Sequence, residues 1–376
     1  MIIACISTSR IPSDTANSIQ VMKACQALSR LGHEPHLLVP GERPAGADWA
    51  ALSERYGLVE TWPLTWLPSN PYLKRNDFAW SAVRRARKLG AGMVYTWTGQ
   101  SAVFGLLSGF PVAYEVHDLP SGKLGPVWFR TFLTLKGQKR LLIITHALQE
   151  KLAQRYSRLS ENDVVIAPNG VDMEQYAHLP EALAARQKLG LPQKITVLCA
   201  GHLYAGRGAD LFLALAARFP QASFVWVGGR PEDVAEYRAK AAAGGLENVT
   251  LTGFVNQDKV PCYQAAGDIL LMPYNRSIAG SSGGNSAEIC SPMKMFDYLA
   301  AGRAILTSDL PVFHEVLNQG NALFAPPEDL EAWSIAVNRL LTEPILRQQL
   351  SRQARQDAEN YTWLVRAQHA LAGFMH

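Results

Sequence analysis

The stretch Ser291-Pro-Met-Lys-Met-Phe-Asp-Tyr-Leu-Ala-Ala-Gly302 carries the clearest local pattern in this 376-residue chain. Pro292 suits the first turn of a helix, because the N–H group that proline lacks would find no intrahelical partner there. Apolar residues then recur at three- and four-residue spacing, and Gly302 is placed to end the helix. Asp297 projects from the first turns, and the unpaired N–H groups before it favour an anion, phosphate above all. An ordinary amphipathic helix with a solvated Asp297 fits this window equally well.

Length and composition predict a two-domain globular protein. A chain of 376 residues exceeds the size at which one core keeps growing, and 48% hydrophobic with 18% charged residues suits compact domains. The apolar start Met1–Ile6 predicts a buried strand rather than a signal peptide, and no apolar run is long enough to span a bilayer. Five scattered cysteines without metal-ligand spacing favour a reduced, cytoplasmic protein.

The net charge of +4 is concentrated in the first half of the chain, in two basic clusters. The second cluster is interleaved with aromatic and apolar residues. This mixture suits a membrane surface that carries anionic lipid, whereas the alternative is a solvated helix face whose aromatic residues belong to the core. The first cluster is Lys74, Arg75, Arg84, Arg85, Arg87 and Lys88; the second is Lys123, Arg130, Lys136, Lys139 and Arg140, with Trp128, Phe129, Phe132 and Leu133.

The chain opens with a strand–loop–helix–strand pattern. Strands are predicted at Ile2–Ile6 and Pro35–Val39, with a helix from about Ser18 to Leu31 between them, which makes a βαβ unit and a parallel sheet. Ligands of such sheets bind outside the carboxyl ends of the strands, so the loop before this helix faces the cleft. The absence of G-x-G-x-x-G argues against a standard NAD site.

A later strand, Val112-Ala-Tyr-Glu-Val-His-Asp118, delivers His117 and Asp118 to the same functional edge. A histidine there can hydrogen-bond a sugar hydroxyl or act in acid/base chemistry near neutral pH. The alternative is a structural histidine bonded to a loop carbonyl. Polar residues on loops at such an edge favour the functional interpretation.

The second half restarts the βα pattern after a polar, irregular segment at 173–193, which we interpret as the interdomain connection. A strand at Ile195–Ala200 leads into the turn Gly201-His-Leu-Tyr-Ala-Gly-Arg-Gly208 and a helix. Arg207 is thereby placed at a helix N-terminus as a clamp for a diphosphate, although a plain turn with a solvated arginine fits equally well.

The following strands end in further glycine turns. One strand ends at Gly228 and the next at Gly253-Phe-Val255, so these glycines and Val255 would line one face of a cleft. The segment Tyr274–Glu288 is a loop of small residues before the opening helix, and we expect it to order when a ligand binds.

Four windows in this order resemble retaining GT-B glycosyltransferases of family four. They are Pro168-Asn-Gly-Val-Asp172, Gly201–Gly208, Thr252–Val255 and Ser291–Gly302. The resemblance implies an α/β GT-B fold: two Rossmann-like domains whose parallel sheets face each other across a cleft. The implied domains are residues 1–175 for the acceptor, 176–360 for the nucleotide sugar, and 361–376 as a helix that crosses back to the first domain.

The resemblance also implies roles for individual residues. His202 and Arg207 stand where the family usually has arginine and lysine around the diphosphate, so only Arg207 carries over directly. Asp297 matches the second of two family glutamates and would contact the ribose. The first falls on Ile289; either a register shift brings the neighbouring Glu288 to the donor sugar, or that role is lost or reassigned. The implied catalytic set is His117, Arg207 and Glu288; the donor set is Gly201, His202, Arg207, Gly228, Val255, Ser291, Pro292, Met293, Lys294 and Asp297; Ser18 and Asp118 lie on the acceptor side.

The implied activity is retaining transfer of a sugar from a nucleotide-diphosphate sugar, with UDP favoured over GDP, to a glycan, lipid-linked or small-molecule acceptor. No cofactor or metal is expected, because the sequence has no Asp-x-Asp-like acidic cluster. The implied location is cytoplasmic, with peripheral contact at a membrane surface through the basic clusters, and no nucleic-acid partner. The alternatives are a non-catalytic GT-B subunit and a GT-B sugar-nucleotide epimerase.

Overall fold

The computed structural model describes residues 1–159, 163–278 and 285–374, which divide into two compact units. Unit 1 comprises residues 1–169 together with the segment that starts at Trp363, and unit 2 comprises Gly170–Thr362. The sequence places these changes at 175/176 and 360/361, whereas the structure places them at 169/170 and 362/363. Residues 279–284, in the middle of the predicted ligand-ordered loop, lie outside the described residues.

Unit 1 is built on a seven-stranded parallel sheet in the order β3-β2-β1-β4-β5-β6-β7. Its inner strands are buried on both faces, which is why they read as continuous apolar runs. The strands are β1 (Ile2–Ile6), β2 (Glu34–Pro40), β3 (Leu64–Leu67), β4 (Met93–Thr96), β5 (Val112–Val116), β6 (Lys139–Ile143) and β7 (Val164–Ile166).

The helices of unit 1 cover this sheet, and one of them comes from the far end of the sequence. The last helix, α14, packs beside α1. These helices are α1 (Ala16–Arg30), α2 (Trp49–Tyr56), α3 (Asn76–Lys88), α4 (Gly99–Leu107), α5 (Gly125–Thr134), α6 (His146–Arg155) and α14 (Trp363–Leu371).

Unit 2 has a six-stranded parallel sheet in the order β10-β9-β8-β11-β12-β13, with its own core around Trp226 and Trp333. The strands are β8 (Thr196–Ala200), β9 (Ser223–Val227), β10 (Val249–Leu251), β11 (Ile269–Met272), β12 (Ala304–Ser308) and β13 (Ala322–Ala325). The helices are α7 (Ala182–Leu189), α8 (Ala209–Arg218), α9 (Pro231–Ala243), α10 (Val260–Ala266), α11 (Met293–Ala301), α12 (Leu330–Thr342) and α13 (Pro344–Asp357). Helix α11 begins after Pro292 and ends at Gly302, which adopts φ +58° as a left-handed cap.

The interpretation of residues 173–193 as an irregular connection is wrong. The segment contains a 3-10 turn at Met173–Tyr176 and the helix α7, and all of it belongs to unit 2. Gly190 caps α7 at φ +66°, and buried Arg186 pairs with Asp268 at 2.7 Å. The polar composition was misleading because the buried face of α7 includes an arginine whose partner lies 82 residues away.

The second basic cluster is used largely inside unit 1. Phe129 and Phe132 are buried core residues, as in the core alternative. Lys139 donates hydrogen bonds to three carbonyl groups at the end of α5, and Arg140 donates to the carbonyl groups of Ala370 and Ala372 at the end of α14. Among the described residues, no helix has both the length and the apolar character needed to cross a membrane.

Candidate functional site

Glycine turns form a backbone shelf in unit 2 at the point where the strand order reverses. Strands β8 and β11 are neighbours there, and open α/β sheets bind ligands at the carboxyl ends of such strands. The N–H group of Gly201 donates to Val227 O at 2.8 Å, and that of Gly228 donates to Gly253 O at 2.9 Å. A Cβ atom on Gly228 would lie 2.7 Å from Gly201 O, so only glycine lets these turns approach each other this closely.

Arg207 is held over this region by two tyrosine rings. Its Nη1 donates to the hydroxyl of Tyr274 at 2.6 Å, and its guanidinium lies 4.8 Å from the centroid of the Tyr274 ring and 5.1 Å from that of Tyr204. Burial lowers the pKa of Arg207, but the two tyrosines raise it by more. The guanidinium is therefore both fixed in place and charged.

Lys294 reaches the same tyrosine from helix α11. Its Nζ lies 5.1 Å from the Tyr274 ring centroid and would be 3.1 Å from a Cβ atom on Gly201. One turn later on α11, the buried Tyr298 accepts a hydrogen bond from the N–H group of Ala200 at 2.7 Å. This bond fixes the helix against the end of β8 and so places Lys294 at the glycine shelf.

The two cations at Tyr274 lack an acidic partner. Neither Arg207 nor Lys294 forms a salt bridge within residues 163–278 and 285–374 of this unit. The nearby thiols stay neutral, because burial raises the pKa of Cys199 and raises that of Cys290 to about 12. Two charged side chains and a shelf of backbone groups therefore form an electropositive position suited to a phosphate-bearing ligand.

Comparison with known proteins places the chain in a family. Residues 194–343 match the family described as Glycosyl transferases group 1, and residues 18–175 match Glycosyltransferase Family 4. The chain belongs to the group 1 glycosyltransferases and has the GT-B fold. The predicted family and fold class are thereby confirmed.

Individual relatives of this GT-B chain are distant. It is 28% identical over 242 residues to the D-inositol 3-phosphate glycosyltransferase of Saccharomonospora viridis, covering 60% of the chain and 52% of that relative. It is 24% identical to the alpha-galactosylglucosyldiacylglycerol synthase of Streptococcus pneumoniae, with 68% of each chain covered. The match thus spans about half the length of the first relative and about two thirds of the second. The Anabaena protein HepE, solved with UDP-glucose, superposes with a TM-score of 0.75 at 16% identity over 99% of both chains.

The two predicted acids of the GT-B donor site have different surroundings. Asp297, on α11, lies against the hydroxyl of buried Tyr176; burial raises the pKa of that tyrosine, and the Asp297 charge raises it further. Tyr176 also donates to Gln264 at 2.8 Å. Glu288 is exposed in a turn while Ile289 beside it is buried, so this local structure turns the glutamate outward. Both ligand roles stay predictions.

The remaining residues predicted for the donor site differ in burial and in packing. The ring of His202 stacks on Tyr204 with centroids 5.5 Å apart. Ser291 is buried just before α11, and Pro292 caps the helix. Met293 and Val255 are half-buried.

The predicted residues of unit 1 differ in their surroundings. His117 Nε2 lies 2.6 Å from Oε1 of buried Glu115. Asp118 accepts a hydrogen bond from the N–H group of Leu119 at 2.7 Å. Ser18 is fully buried, and its hydroxyl donates to Thr15 O at 2.8 Å, which gives it a role in fixing the loop before α1. Within the described ranges of both units, no group of three or more His, Cys, Asp or Glu side chains is arranged to hold a metal.

Sequence reasoning missed three residues that organise these centres. Tyr274 joins Arg207 to Lys294, but it follows a strand and resembles a core aromatic residue in the sequence. Glu115 and Arg366 form a buried ion pair in unit 1. The sequence did contain a signal for this pair: Glu115 is a lone acid inside an apolar strand that is buried on both faces. A buried charge requires a partner, so a basic residue elsewhere in the chain could have been expected.

Proposed function

We propose that this protein transfers a sugar from a nucleotide-diphosphate sugar, with UDP as the favoured nucleotide, to a lipid-linked or glycan acceptor. The observation that carries the proposal is the pair Arg207 and Lys294 on the two sides of Tyr274, beside the glycine shelf of unit 2. A diphosphate leaving group gains negative charge as its bond to the sugar breaks, and fixed cations stabilise that charge. The likeness to HepE, which was solved with UDP-glucose, supports the choice of nucleotide.

In the proposed reaction the bond between the anomeric carbon and the β-phosphate oxygen breaks, and its electron pair stays on that oxygen. The acceptor hydroxyl oxygen bonds to the anomeric carbon from the same face, so the anomeric configuration is retained, and the hydroxyl proton passes to the leaving phosphate. Arg207, Lys294 and the amides at the start of α11 neutralise the diphosphate. Asp297 contacts the ribose, and His117 contacts the donor sugar.

Calorimetric titration with UDP, GDP, ADP and their sugars tests the donor site. We expect UDP to bind tightest, and Arg207→Gln and Lys294→Gln each to weaken its binding roughly tenfold or more, the scale of one charge-assisted hydrogen bond. Arg218→Gln is the matched control, because Arg218 is an exposed arginine of the same unit that pairs with Glu331. Affinity equal to that of the wild type in both test variants would refute the site.

Transfer itself is tested separately from binding. Incubation with UDP-sugars and lipid-linked acceptors should give a glycosylated product, and the coupling constant of its anomeric proton should report retention. Nucleotide binding without transfer or donor hydrolysis would favour a non-catalytic subunit, and interconversion of the sugar without an acceptor would favour an epimerase.

For the acceptor, we propose that unit 1 rests on an anionic membrane surface. Tyr72, in the turn just before α3, is 93% exposed, and Trp80 on α3 is 49% exposed. Exposed basic residues of the first cluster lie on α3 as well. Ring contacts from Trp80 to Phe104 (5.7 Å) and from Phe104 to Trp128 (5.5 Å) hold α3, α4 and α5 side by side. Apolar rings beside basic residues suit a lipid headgroup region.

Vesicle co-sedimentation tests this surface. The double variant Tyr72→Ser/Trp80→Ser should lower binding to vesicles with anionic lipid about tenfold or more, because two aromatic side chains lose their insertion. Ile335→Ser in unit 2, which removes an apolar side chain that is 64% exposed, should leave binding unchanged. Equal binding by the double variant and the wild type would contradict the membrane proposal.

A further inference from the structure

Glu115 is an ionisable residue inside a strand where the sheet is covered on both faces. Side chains alternate along β5, so Tyr114 faces α5 and packs its ring against Phe132 at 5.2 Å, while Glu115 points to the opposite face. His117 follows at the two-residue spacing of a strand, and it therefore shares the face of Glu115. Both side chains thus lie on the side of the sheet that carries α1 and α14.

Four side chains converge on the Glu115 carboxylate, three of them from other helices and strands. Oε1 accepts hydrogen bonds from Arg366 on α14, Gln20 on α1 and His117, and Oε2 accepts one from Tyr95 on β4 at 2.5 Å. Arg366 is itself fully engaged, because its Nε donates to Pro168 O at 2.8 Å and its Nη1 to the Tyr95 hydroxyl at 3.2 Å. The acceptor capacity of a carboxylate is used almost completely.

This arrangement keeps the carboxylate ionised. Burial by itself raises the pKa of Glu115, but the charge of Arg366 and the hydrogen bonds from His117 and Tyr95 lower it by more, to about 2. Three titratable groups beside Glu115 keep one charge state near neutral pH. Burial raises the pKa of Tyr95 and of Cys25. Burial lowers the pKa of Arg366, but the Glu115 charge and Tyr95 raise it by more.

An ionised carboxylate can only accept hydrogen bonds, and this decides the tautomer of His117. Nε2 must carry a proton at 2.6 Å from Oε1, so Nδ1 of the neutral ring has the lone pair. Within the part of the chain that the structure describes, Nδ1 makes no hydrogen bond, and 28% of the imidazole side chain is exposed. The ring therefore presents one defined acceptor to a ligand.

We propose that Glu115 and Arg366 are positioning residues for His117, which hold its ring with Nδ1 presented to the donor sugar as an acceptor. The inference rests on the proposed function, because that function assigns His117 to the sugar. It adds a requirement for the segment that starts at Trp363, since Arg366 on α14 holds the carboxylate that orients the histidine. Partners that orient a histidine in this way are needed for its function as well as for the stability of the fold.

Glu115→Gln tests the kinetic part of the inference. The variant should lower kcat roughly 10- to 100-fold, the size known for partners that orient a ligand histidine, with the KM for the nucleotide sugar changed less than about threefold. Arg366→Lys keeps a charge but cannot bond Glu115 and Tyr95 through two separate nitrogens, and we expect a smaller loss of kcat.

Asp268→Asn is the matched control, because it removes one carboxylate from the Arg186–Asp268 pair of unit 2. The control should lower the unfolding midpoint and leave both kcat and the KM for the nucleotide sugar unchanged. If Glu115→Gln likewise lowers only the unfolding midpoint, the network is structural and the inference is overturned.

The tautomer can be measured on the wild-type protein, which decides the inference even if Glu115→Gln does not fold. Long-range ¹H–¹⁵N spectra of histidine-labelled protein, assigned with His117→Gln, should show a proton on Nε2 of the neutral ring. A proton on Nδ1 would overturn the inference whatever the activity. A wild-type protein that neither binds nucleotide nor transfers sugar would instead refute the proposed function.

Discussion

The substitution Gly208→Ala, which adds one methyl group, should strongly disturb the proposed donor site. Gly208 adopts φ +78°, and a Cβ atom there would lie 1.8 Å from the carbonyl oxygen of Pro273 and 2.8 Å from its Cβ. Moving that carbonyl group would break hydrogen bonds of Tyr274, the next residue. Tyr274 donates its N–H group to Met272 O, and its own carbonyl oxygen accepts a hydrogen bond from Ser308 at 2.6 Å. Gly208→Ala must therefore separate the turn that carries Arg207 from the segment that carries Tyr274.

The expected loss of stability in Gly208→Ala can be estimated by comparison with Gly190→Ala. Gly190 adopts φ +66° in the same unit with nothing near a built Cβ atom, so Gly190→Ala should destabilise by about 1 kcal/mol through the backbone conformation alone. Gly208→Ala adds a clash that requires a backbone shift of roughly 1 Å, and we expect a total of about 3–5 kcal/mol.

Urea unfolding followed by circular dichroism measures both variants, and titration with UDP measures the site. We expect Gly208→Ala to lose UDP binding and Gly190→Ala to keep it. A Gly208→Ala variant within about 1 kcal/mol of Gly190→Ala, with UDP affinity intact, would refute the packing argument.

Three further predictions concern stability. Tyr298→Phe should cost about 1–3 kcal/mol in urea unfolding, because the N–H group of Ala200 loses its buried acceptor; a smaller loss would mean that water replaces the hydroxyl. Asn248→Ala should cost about 2 kcal/mol by the same measurement, since its Nδ2 donates to three carbonyl groups around the end of α8, and an unchanged midpoint would contradict that role. The pKa of Glu115 is lowered from 4.5 to about 2, so its ionised form stabilises the fold by on the order of 3 kcal/mol of unfolding free energy. This stabilisation should be present above about pH 4.5 and lost as the pH falls toward 2. The difference in unfolding free energy between wild type and Glu115→Gln should shrink over that range, and a constant difference would contradict the assignment.

Local pattern was enough to predict the parallel sheets and the glycine turns. Strand β1 is found at the predicted residues Ile2–Ile6, and α11 ends at Gly302 as expected, because apolar runs and capping residues act over a few positions. The same local reasoning failed for α7, where the decisive contact of Arg186 comes from 82 residues away. It also overvalued Lys139 and Arg140 as surface charges, although both bond carbonyl groups within unit 1.

Contacts between residues distant in sequence were also missed in the candidate sites. Arg207 and Lys294 could be selected because each stands in a recognisable window of sequence. Their common partner Tyr274 and the Glu115–Arg366 pair could not, since 251 residues separate the members of that pair and no periodicity links them. Sequence indicates which side chains have useful chemistry, but packing decides which of them share a hydrogen bond.

Unit 1 is built from two separate parts of the sequence, and this affects the order in which the unit can fold during synthesis. Residues 170–362 are translated between its two parts, which takes on the order of 10–40 s at ordinary ribosome speeds. During that interval the face of α1 that later packs beside α14 is uncovered, and the Glu115 carboxylate lacks its guanidinium. The nascent unit is therefore a candidate client for chaperones. Because the last helix completes unit 1, a chain cut short before Trp363 would have a buried Glu115 carboxylate without its guanidinium partner. That unpaired charge would distinguish the truncated chain from the finished protein.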